Sequence, residues 1–270
     1  MTILLIGPLP PPLGGATVLF NQLVGDLTER NDLSVEVINT TRTDRTPAKN
    51  LMQGLRSLVS LMRRIRHVDV VGFHASIRGA VLFGPVFAFV CYVFGRPWIF
   101  RGFGGFYPDW YGTAPAPIRW IFRNTVLAAD IVLFETRRSV DFFCALSRQP
   151  VYWYSNSRTL PSVLPVNKES QQRGARRFLY LGHVTEMKGV DDLIQVSREI
   201  ENAMVDVYGP LTGTVTEEDF VGSGANYLGE VSPEAVPRLL QGYDVLVLPS
   251  RCPTEGYPCV VLEAFMLGMP

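Results

Sequence analysis

Short apolar runs alternate along the chain with longer segments in which apolar residues recur every three or four positions. The first pattern is typical of buried strands and the second of amphipathic helices. In the first half the predicted strands are residues 2–6, 34–39, 68–74, 98–101, 131–135 and 151–154. The predicted helices between them are residues 16–30, 51–67, 76–94, 118–128 and 139–146. Strands alternating with helices favour an α/β fold built on a parallel sheet.

A break in this alternation divides the chain. Residues 158–176 contain Pro161, Pro165 and Gly174 with little apolar content, which indicates a linker. Beyond it the alternation restarts, with predicted strands 178–181, 204–208, 226–228 and 244–248 and helices 190–200, 233–241 and 258–267. We therefore predict two parallel-sheet domains, 1–157 and 177–270, joined by a linker at 158–176.

Two of the predicted helices leave a choice between burial and a membrane. The run from Gly79 to Gly95 is mostly apolar and reaches the lower length limit of a spanning helix. Its internal Pro85 and the strand that follows favour a helix buried in the α/β domain. Helix 51–67 has an apolar stripe beside Arg56, Arg63, Arg64 and Arg66. Such a helix either lies on an anionic membrane surface or packs on the first domain.

The members of that stripe are Leu51, Leu55, Leu58, Met62 and Ile65. Their spacing places them on one side of a helix.

Composition and charge add a compartment and a class of partner. The content of 47% hydrophobic and 19% charged residues is that of a globular protein. Residues 1–160 carry 17 Lys and Arg against 10 Asp and Glu, whereas residues 161–270 carry 8 against 15. A basic first half favours phosphate-bearing or anionic partners. The four cysteines form no CxxC pair, and the N-terminus has no basic segment before its apolar run, so we expect a cytoplasmic protein without a signal peptide.

Three loops after predicted strands hold candidate chemistry. Gly14 and Gly15 open a helix, whose N-terminal N–H groups attract anions. His183 and Lys188 stand near the start of another helix, where a bound anion would offset the unfavourable helix dipole. The alternative for each is a simple turn or a solvated side chain. The GxGxxG dinucleotide pattern is missing, which disfavours a nicotinamide dehydrogenase.

The last loop and helix carry two carboxylates. Glu255 lies in a Gly/Pro-rich loop and Glu263 in the helix that follows. Alone, the pair is more typical of two solvated glutamates than of a ligand site.

The ordered motifs of residues 177–270 resemble the retaining glycosyltransferases of GT-B fold, family-4-like. The motifs are Leu181-Gly182, Lys188-Gly189, Asp192, Tyr208-Gly209, Leu228-Gly229, Leu248-Pro249-Ser250 and Glu255-x7-Glu263-Ala264. The first half resembles the acceptor-side domain of that family more loosely, through Gly14-Gly15, Arg101-Gly102, residues 134–136 and Asn156.

The resemblance implies two facing Rossmann-like domains with a nucleotide-diphosphate sugar in the cleft. It places Lys188 and His183 on the diphosphate, Glu263 on the ribose and Glu255 on the donor sugar. Gly14, Gly15, Gly209 and Gly256 also belong to the donor site, and Arg101, Gly102 and His74 to the acceptor side. The acceptor is a saccharide or a lipid-linked saccharide, as in polysaccharide biosynthesis. Transfer occurs with retention, without a cofactor, metal or nucleic acid, and the chain has no DxD motif that holds a metal.

The chain departs from the family at three places. His183 stands where the family usually has Arg, and Arg101 stands where it usually has His. The family continues beyond the position of Pro270, so the second domain is expected to be incomplete and weakly active. These departures keep open a non-catalytic nucleotide-sugar-binding or assembly subunit, or an inactive fragment. The basic helix 51–67 keeps open a peripheral location at the inner face of the membrane.

Overall fold

A computed structural model describes residues 1–12, 14–41, 47–158, 175–200, 202–253 and 255–270 of the chain. Contacts divide the chain into a first unit, Met1–Asn156 with Thr254–Tyr257, and a second unit, Ser157–Pro253 with Pro258–Pro270. All but the ends of the predicted linker 158–176 lies outside the described residues.

The first unit is built on a parallel sheet of six strands in the order β2-β1-β3-β4-β5-β6. The strands are β1 Thr2–Gly7, β2 Ser34–Asn39, β3 Val70–Ala75, β4 Trp98–Gly102, β5 Ile131–Phe134 and β6 Val151–Trp153. The helices are α1 Gly15–Thr28, α2 Pro47–Arg64, α3 Ile77–Val93, α4 Tyr107–Thr113, α5 Ala116–Asn124 and α6 Arg137–Cys144, with a 3-10 turn at Val126–Ala128. Right-handed crossovers between parallel strands place α1 on one face of the sheet and α2, α3 and α5 on the other.

An aromatic cluster fills the core beneath the carboxyl ends of β4 and β5. Phe100, Phe122, Phe134 and Tyr107 pack edge to face or tilted, with ring centroids 5.2 to 6.4 Å apart. Tyr107 belongs to α4, a helix that the sequence pattern did not predict, because Gly and Pro signals at 102–108 indicated a loop.

The apolar stripe predicted for α2 divides between buried and exposed positions. Leu55 and Met62 are 54% and 50% exposed, whereas the fully buried residues are Leu61 and Ile65. The reason is the contact with α3. A Cβ atom at Gly54 would lie 1.9 Å from the ring of Phe83, so the side of α2 that carries Gly54 packs against α3.

The expectation of a buried helix at 76–94 holds for one stripe only. Ala80, Gly84, Phe87, Val90 and Cys91 of α3 are buried, while several larger apolar residues of the same helix face outward. No helix in the described part of the chain is long and apolar enough to span a bilayer.

The second unit holds a parallel sheet of four strands in the order β10-β7-β8-β9. The strands are β7 Arg177–Leu181, β8 Met204–Tyr208, β9 Ala225–Tyr227 and β10 Val245–Leu246. The helices are α7 Val190–Ser197, α8 Val236–Leu240 and α9 Cys259–Met266, with 3-10 turns at Glu186–Lys188 and Glu217–Phe220. Two apolar clusters form its core, one including Tyr180 and Val207 and the other including Leu179 and Ala264 of α9. This second cluster holds α9 on the sheet.

Candidate functional site

Four polar side chains are buried at the carboxyl edge of the first sheet. His74 and Arg101 are register partners on β3 and β4, Glu135 follows β5, and Asn156 lies beyond β6. Their exposed fractions are 5%, 2%, 4% and 7%, respectively. Open α/β sheets bind ligands at this edge.

The Arg101 guanidinium contacts Asn156 and two aromatic faces. Its Nη2 donates to Oδ1 of Asn156 at 3.3 Å, and its Cζ lies 4.3 Å from the ring centre of Tyr154 and 4.9 Å from that of Phe103. Cation–π contacts of this kind strengthen when the cation is removed from water. A permanent positive charge is therefore fixed at this edge.

His74 is neutral at physiological pH. Burial disfavours the imidazolium, and the nearby charge of Arg101 adds to this effect, so the pKa of His74 falls to about 3. Its ring packs against Phe20 at 5.0 Å between centroids. Its Nδ1 is buried and has no hydrogen-bond partner among the described residues.

His74 also lines a cavity of about 260 Å³ in the first unit. The cavity lies where β1, β2 and β3 end, between these loops, α2 and α3. Because His74 is neutral, no described lining residue carries a charge at pH 7. The polar members besides His74 are Thr17, Thr40, Thr41, Gln53, Ser57 and Ser76, and the aromatic members are Phe73, Phe83 and Phe87.

Glu135 is a candidate that the sequence reasoning did not single out. One of its carboxylate oxygens accepts a hydrogen bond from the Gly104 N–H at 2.8 Å. Burial raises the pKa of Glu135, which the Gly104 hydrogen bond and the charge of Arg101 partly oppose. The available signal was a carboxylate directly after a buried strand. The resemblance included positions 134–136 but assigned them no role.

Glu255 and Gly256, both predicted in the donor site, belong to the first unit. A Cβ atom at Gly256 would lie 2.6 Å from Oε2 of Glu135, so the backbone of Gly256 approaches this carboxylate closely. Asn156 donates from Nδ2 to the carbonyl of Tyr257 at 2.7 Å. The segment 255–257 is thus fixed beside the buried polar residues of the first sheet.

The two predicted glycines at the start of α1 have no packing reason to be glycine. Gly14 is the N-cap in extended conformation, and nothing lies within 4 Å of a Cβ atom placed at Gly15. Gly102, predicted on the acceptor side, differs, because a Cβ atom there would lie 2.8 Å from the ring of Phe134. Gly15 itself is exposed.

In the second unit, the loop between β7 and α7 carries His183 and Lys188. Thr185 caps the 3-10 turn that contains Lys188 by accepting its N–H at 3.3 Å. Arg251 donates to the Glu186 carbonyl at 3.0 Å and forms an ion pair with Asp191 at 2.6 Å. The loop after β10 is thereby tied to the turn that presents Lys188.

Partial burial lowers the pKa of His183, and the positive charge of Lys188 lowers it further, while Glu230 opposes the shift. His183 is therefore mainly neutral at pH 7 without a ligand. At this edge of the sheet the backbones of Gly209 and Gly182 approach closely. A Cβ atom at Gly209 would lie 1.9 Å from the carbonyl oxygen of Gly182. The Gly209 N–H donates to the Gly229 carbonyl at 2.8 Å.

Glu263 is 6% exposed and forms an ion pair with Arg158, a partner that the sequence did not reveal. Burial raises the pKa of Glu263, and Arg158 opposes the rise. Both residues belong to the second unit. One oxygen of the carboxylate, Oε1, is occupied by this pair.

The predicted site residues thus fall into groups. His74, Arg101 and Gly102 lie at the edge of the first sheet, in the same unit as Gly14, Gly15, Glu255 and Gly256. His183, Lys188 and Gly209 lie at the corresponding edge of the second sheet, and Glu263 lies with Arg158 in that unit. Within the described residues, no group of three or more His, Cys, Asp or Glu is placed to hold a metal ion.

Comparison with known proteins bears on the second half of the chain. Residues 166–270 match the family model described as Glycosyl transferases group 1, which confirms the resemblance for this part. An uncharacterized glycosyltransferase of Haemophilus influenzae is 30% identical over 116 residues, which is 40% of this chain and 32% of that protein. The match therefore spans about a third of the length of that curated relative.

Solved structures confirm the α/β fold with two parallel sheets. Sucrose-phosphate synthase from Thermosynechococcus elongatus is similar over the whole chain and 80% of its own length, with a TM-score of 0.74 at 15% identity. Anabaena HepE in complex with UDP matches over the whole chain and 79% of its own, with a TM-score of 0.66 at 16% identity. The lipopolysaccharide outer core galactosyltransferase WaaB matches over the whole chain and 79% of its own length, with a TM-score of 0.65 at 17% identity.

Proposed function

We propose, from the membership of residues 166–270 in the group 1 glycosyl transferase pattern, that the protein transfers a sugar from a nucleotide-diphosphate sugar to an acceptor. The observation that carries the proposal is the grouping of His183, Lys188 and Gly209 at the carboxyl edge of the second sheet, inside that matched segment. Transfer proceeds with retention of anomeric configuration and without a metal. The acceptor is a saccharide or a lipid-linked saccharide.

The charges of the second unit suit a departing diphosphate. Breaking the bond between sugar and phosphate develops negative charge on the diphosphate, and fixed cations lower the barrier to it. Lys188 supplies such a charge. His183 is neutral without a ligand, so we expect a bound diphosphate to raise its pKa and draw a proton to it.

In this proposal the Glu263 carboxylate accepts hydrogen bonds from the ribose hydroxyl groups. Arg158 holds Oε1 of its carboxylate and so fixes the orientation of the other oxygen. A carboxylate fixed in this way accepts a hydroxyl hydrogen bond without first losing side-chain entropy.

The first unit supplies the remaining roles. Glu255 contacts the donor sugar, where positive charge develops on the ring. Gly14, Gly15 and Gly256 let the backbone approach the donor. Arg101, Gly102 and His74 act on the acceptor side, where the uncharged cavity beside His74 suits neutral hydroxyl groups.

The finer assignment is a role in polysaccharide biosynthesis on the inner face of a membrane. A lipid-linked acceptor requires the enzyme to reach the bilayer surface. Helix α2, with Arg56 and Arg63 exposed, is the element through which we propose peripheral attachment to an anionic membrane.

A non-catalytic nucleotide-sugar-binding or assembly subunit is the second candidate. The lowered pKa of His183 favours it, because a neutral imidazole does not balance the charge of a leaving diphosphate.

The test measures transfer from a panel of nucleotide sugars by mass spectrometry of the products, and UDP binding by calorimetry. We expect Lys188→Ala and Glu255→Gln each to lower kcat by about 100-fold, the typical cost of removing one electrostatic stabiliser. Arg198→Ala, an exposed substitution in the second unit, is the matched control.

Unchanged transfer rates in both variants would contradict the proposal. UDP binding with neither transfer nor hydrolysis of any donor would establish the second candidate instead.

A further inference from the structure

Three adjacent helices of the first unit expose long apolar side chains. Helix α2 packs against α3, and α3 packs against α5. Each of the following side chains is at least 40% exposed: Met52, Leu55, Val59 and Met62 of α2, Leu82, Val86, Phe89, Tyr92 and Val93 of α3, and Trp120 and Ile121 of α5. We call this the three-helix face. Exposed apolar surface of this extent is unusual on a monomer and marks an interaction site.

The charge of the same helices has one sign. Helices α2, α3 and α5 contain seven Lys and Arg residues and no Asp or Glu. Arg56 and Arg63 are exposed, and neither forms an ion pair with any described residue. Arg64 differs, since its guanidinium lies 3.6 Å from the carboxylate of Glu36.

Helix α3 is apolar on both of its sides. Gly84, Phe87 and Cys91 face the core, while Leu82, Val86, Phe89 and Val93 follow one outward stripe at helical spacing. A helix of this length extends about 25 Å at 1.5 Å per residue. The inward side is already packed on the sheet, so α3 offers its outward stripe to a surface on which it lies flat.

We infer that the three-helix face docks on an anionic lipid bilayer, with apolar side chains of all three helices in the interfacial region and the arginines on lipid phosphates. Aromatic and aliphatic side chains flanked by Arg are the composition that binds this interface. The inference enlarges the membrane role proposed for α2 and places the centre of contact on α3, where the exposed fraction reaches 84% at Tyr92.

A second copy of this chain fits the face less well. A twofold interface pairs this face with its own copy, and because the three helices contain no Asp or Glu, their arginines would meet no carboxylate of these helices across it. Like charges brought together at an interface disfavour association. Anionic headgroups supply the opposite charge over the whole face.

The test is partition of the 270-residue protein onto vesicles of phosphatidylcholine with 30% phosphatidylglycerol (on the order of one anionic lipid in three, within the range that attracts basic segments), by co-sedimentation. The double variant Arg56→Glu/Arg63→Glu tests the charge, and Arg148→Glu/Arg198→Glu is its control with the same change in net charge at exposed positions. The double variant Phe89→Ser/Trp120→Ser tests the apolar contact, and Tyr152→Ser/Val221→Ser is its control at exposed positions.

We expect the partition coefficient to fall by roughly thirtyfold or more in the first variant, because each basic residue near an anionic surface contributes about fivefold. We expect the partition coefficient of the apolar variant to fall at least about tenfold, which corresponds to the burial free energy of one apolar side chain. Both controls should bind like the wild type. Salt should weaken binding of the wild type more than that of the charge variant.

Equal partition of each test variant and its control would overturn the inference. Concentration-dependent dimerisation in the absence of lipid that Phe89→Ser/Trp120→Ser abolishes would also overturn it, because the occupant would then be a second copy. Partition needs no donor sugar. A result that overturns the docking inference therefore does not contradict transfer to a soluble acceptor. A result that contradicts transfer likewise does not overturn the docking inference.

Discussion

The two units hold their candidate residues in different ways. In the first unit, His74, Arg101 and Glu135 are buried side chains, and the charge of Arg101 disfavours protonation of both His74 and Glu135. In the second unit, His183 and Lys188 stand on a loop whose path is fixed by backbone contacts, such as that of Gly209 with Gly182. Substitutions in the first group should therefore alter stability and function together. Substitutions on the second loop should separate them.

Glu263 is the exception among the candidate residues of the second unit, since it is a buried side chain paired with the partly buried Arg158. The most informative experiments test whether this exception behaves like the first unit. They also test whether Gly15 of the first unit can be substituted with a change in ligand binding but little change in stability.

The largest effect is expected at Arg158. Arg158→Met leaves the buried Glu263 carboxylate without its cation, and we expect the free energy of unfolding to fall by about 3 kcal/mol. Urea denaturation at pH 7 measures it. Arg158→Met/Glu263→Met removes both charges and should recover most of the loss, since apolar replacement of a buried pair is often neutral. A double variant no more stable than the single variant would show that the pair is not what stabilises this region.

A smaller effect is expected from the pH dependence of His74. Its pKa is about 3 in the folded protein and ordinarily 6.5, so the unfolded chain binds the proton first as the pH falls. Stability from this group is complete above pH 6.5 and is lost toward pH 3. Between pH 7 and pH 5 the loss amounts to about 2 kcal/mol.

Urea denaturation at both pH values measures this loss in the wild type and in His74→Gln. We expect the variant to show a fall that is smaller by that amount. His67→Gln, at an exposed histidine of the same unit, should keep the pH dependence of the wild type. Equal pH dependence in all three proteins would contradict the burial of a neutral imidazole at position 74.

The smallest effect on stability is expected at Gly15. Because a Cβ atom there meets nothing within 4 Å, Gly15→Ala should change the free energy of unfolding by no more than about 0.5 kcal/mol. It should nevertheless weaken UDP binding about tenfold if the donor approaches the first turn of α1. Gly25→Ala in the same helix also meets nothing within 4 Å and should leave UDP binding unchanged. Unchanged binding in both variants would remove Gly15 from the donor site.

The sequence predicted the strands better than the faces of the helices. Buried parallel strands appear as apolar runs, and the ten strands in the described part of the chain lie at or within a few residues of the predicted positions. The apolar stripe of α2 did not identify its inward side, because that side depends on a tertiary contact, the approach of Gly54 to Phe83. Helix α4 was missed because its buried Tyr107 follows glycines and precedes a proline, which are loop signals.

The candidate residues were found where a motif carried them, and their partners were not. Glu263 was identified through its spacing from Glu255, but its ion pair with Arg158 joins residues 105 positions apart. No local pattern reports such a pairing. The neutral state of His74 is likewise a product of burial and of Arg101 on the next strand, neither of which has a local signature.

The hydrogen bond between Asn156 and the Tyr257 carbonyl has a consequence for when the first unit can finish folding during synthesis. The two residues are 101 positions apart, so Asn156 leaves the ribosome well before its acceptor exists. At roughly 5–20 residues per second, the wait is on the order of 5–20 s. During that interval the sheet of the first unit can form, but the last part of the first unit is still missing. Completion of the first unit thus depends on synthesis of most of the second.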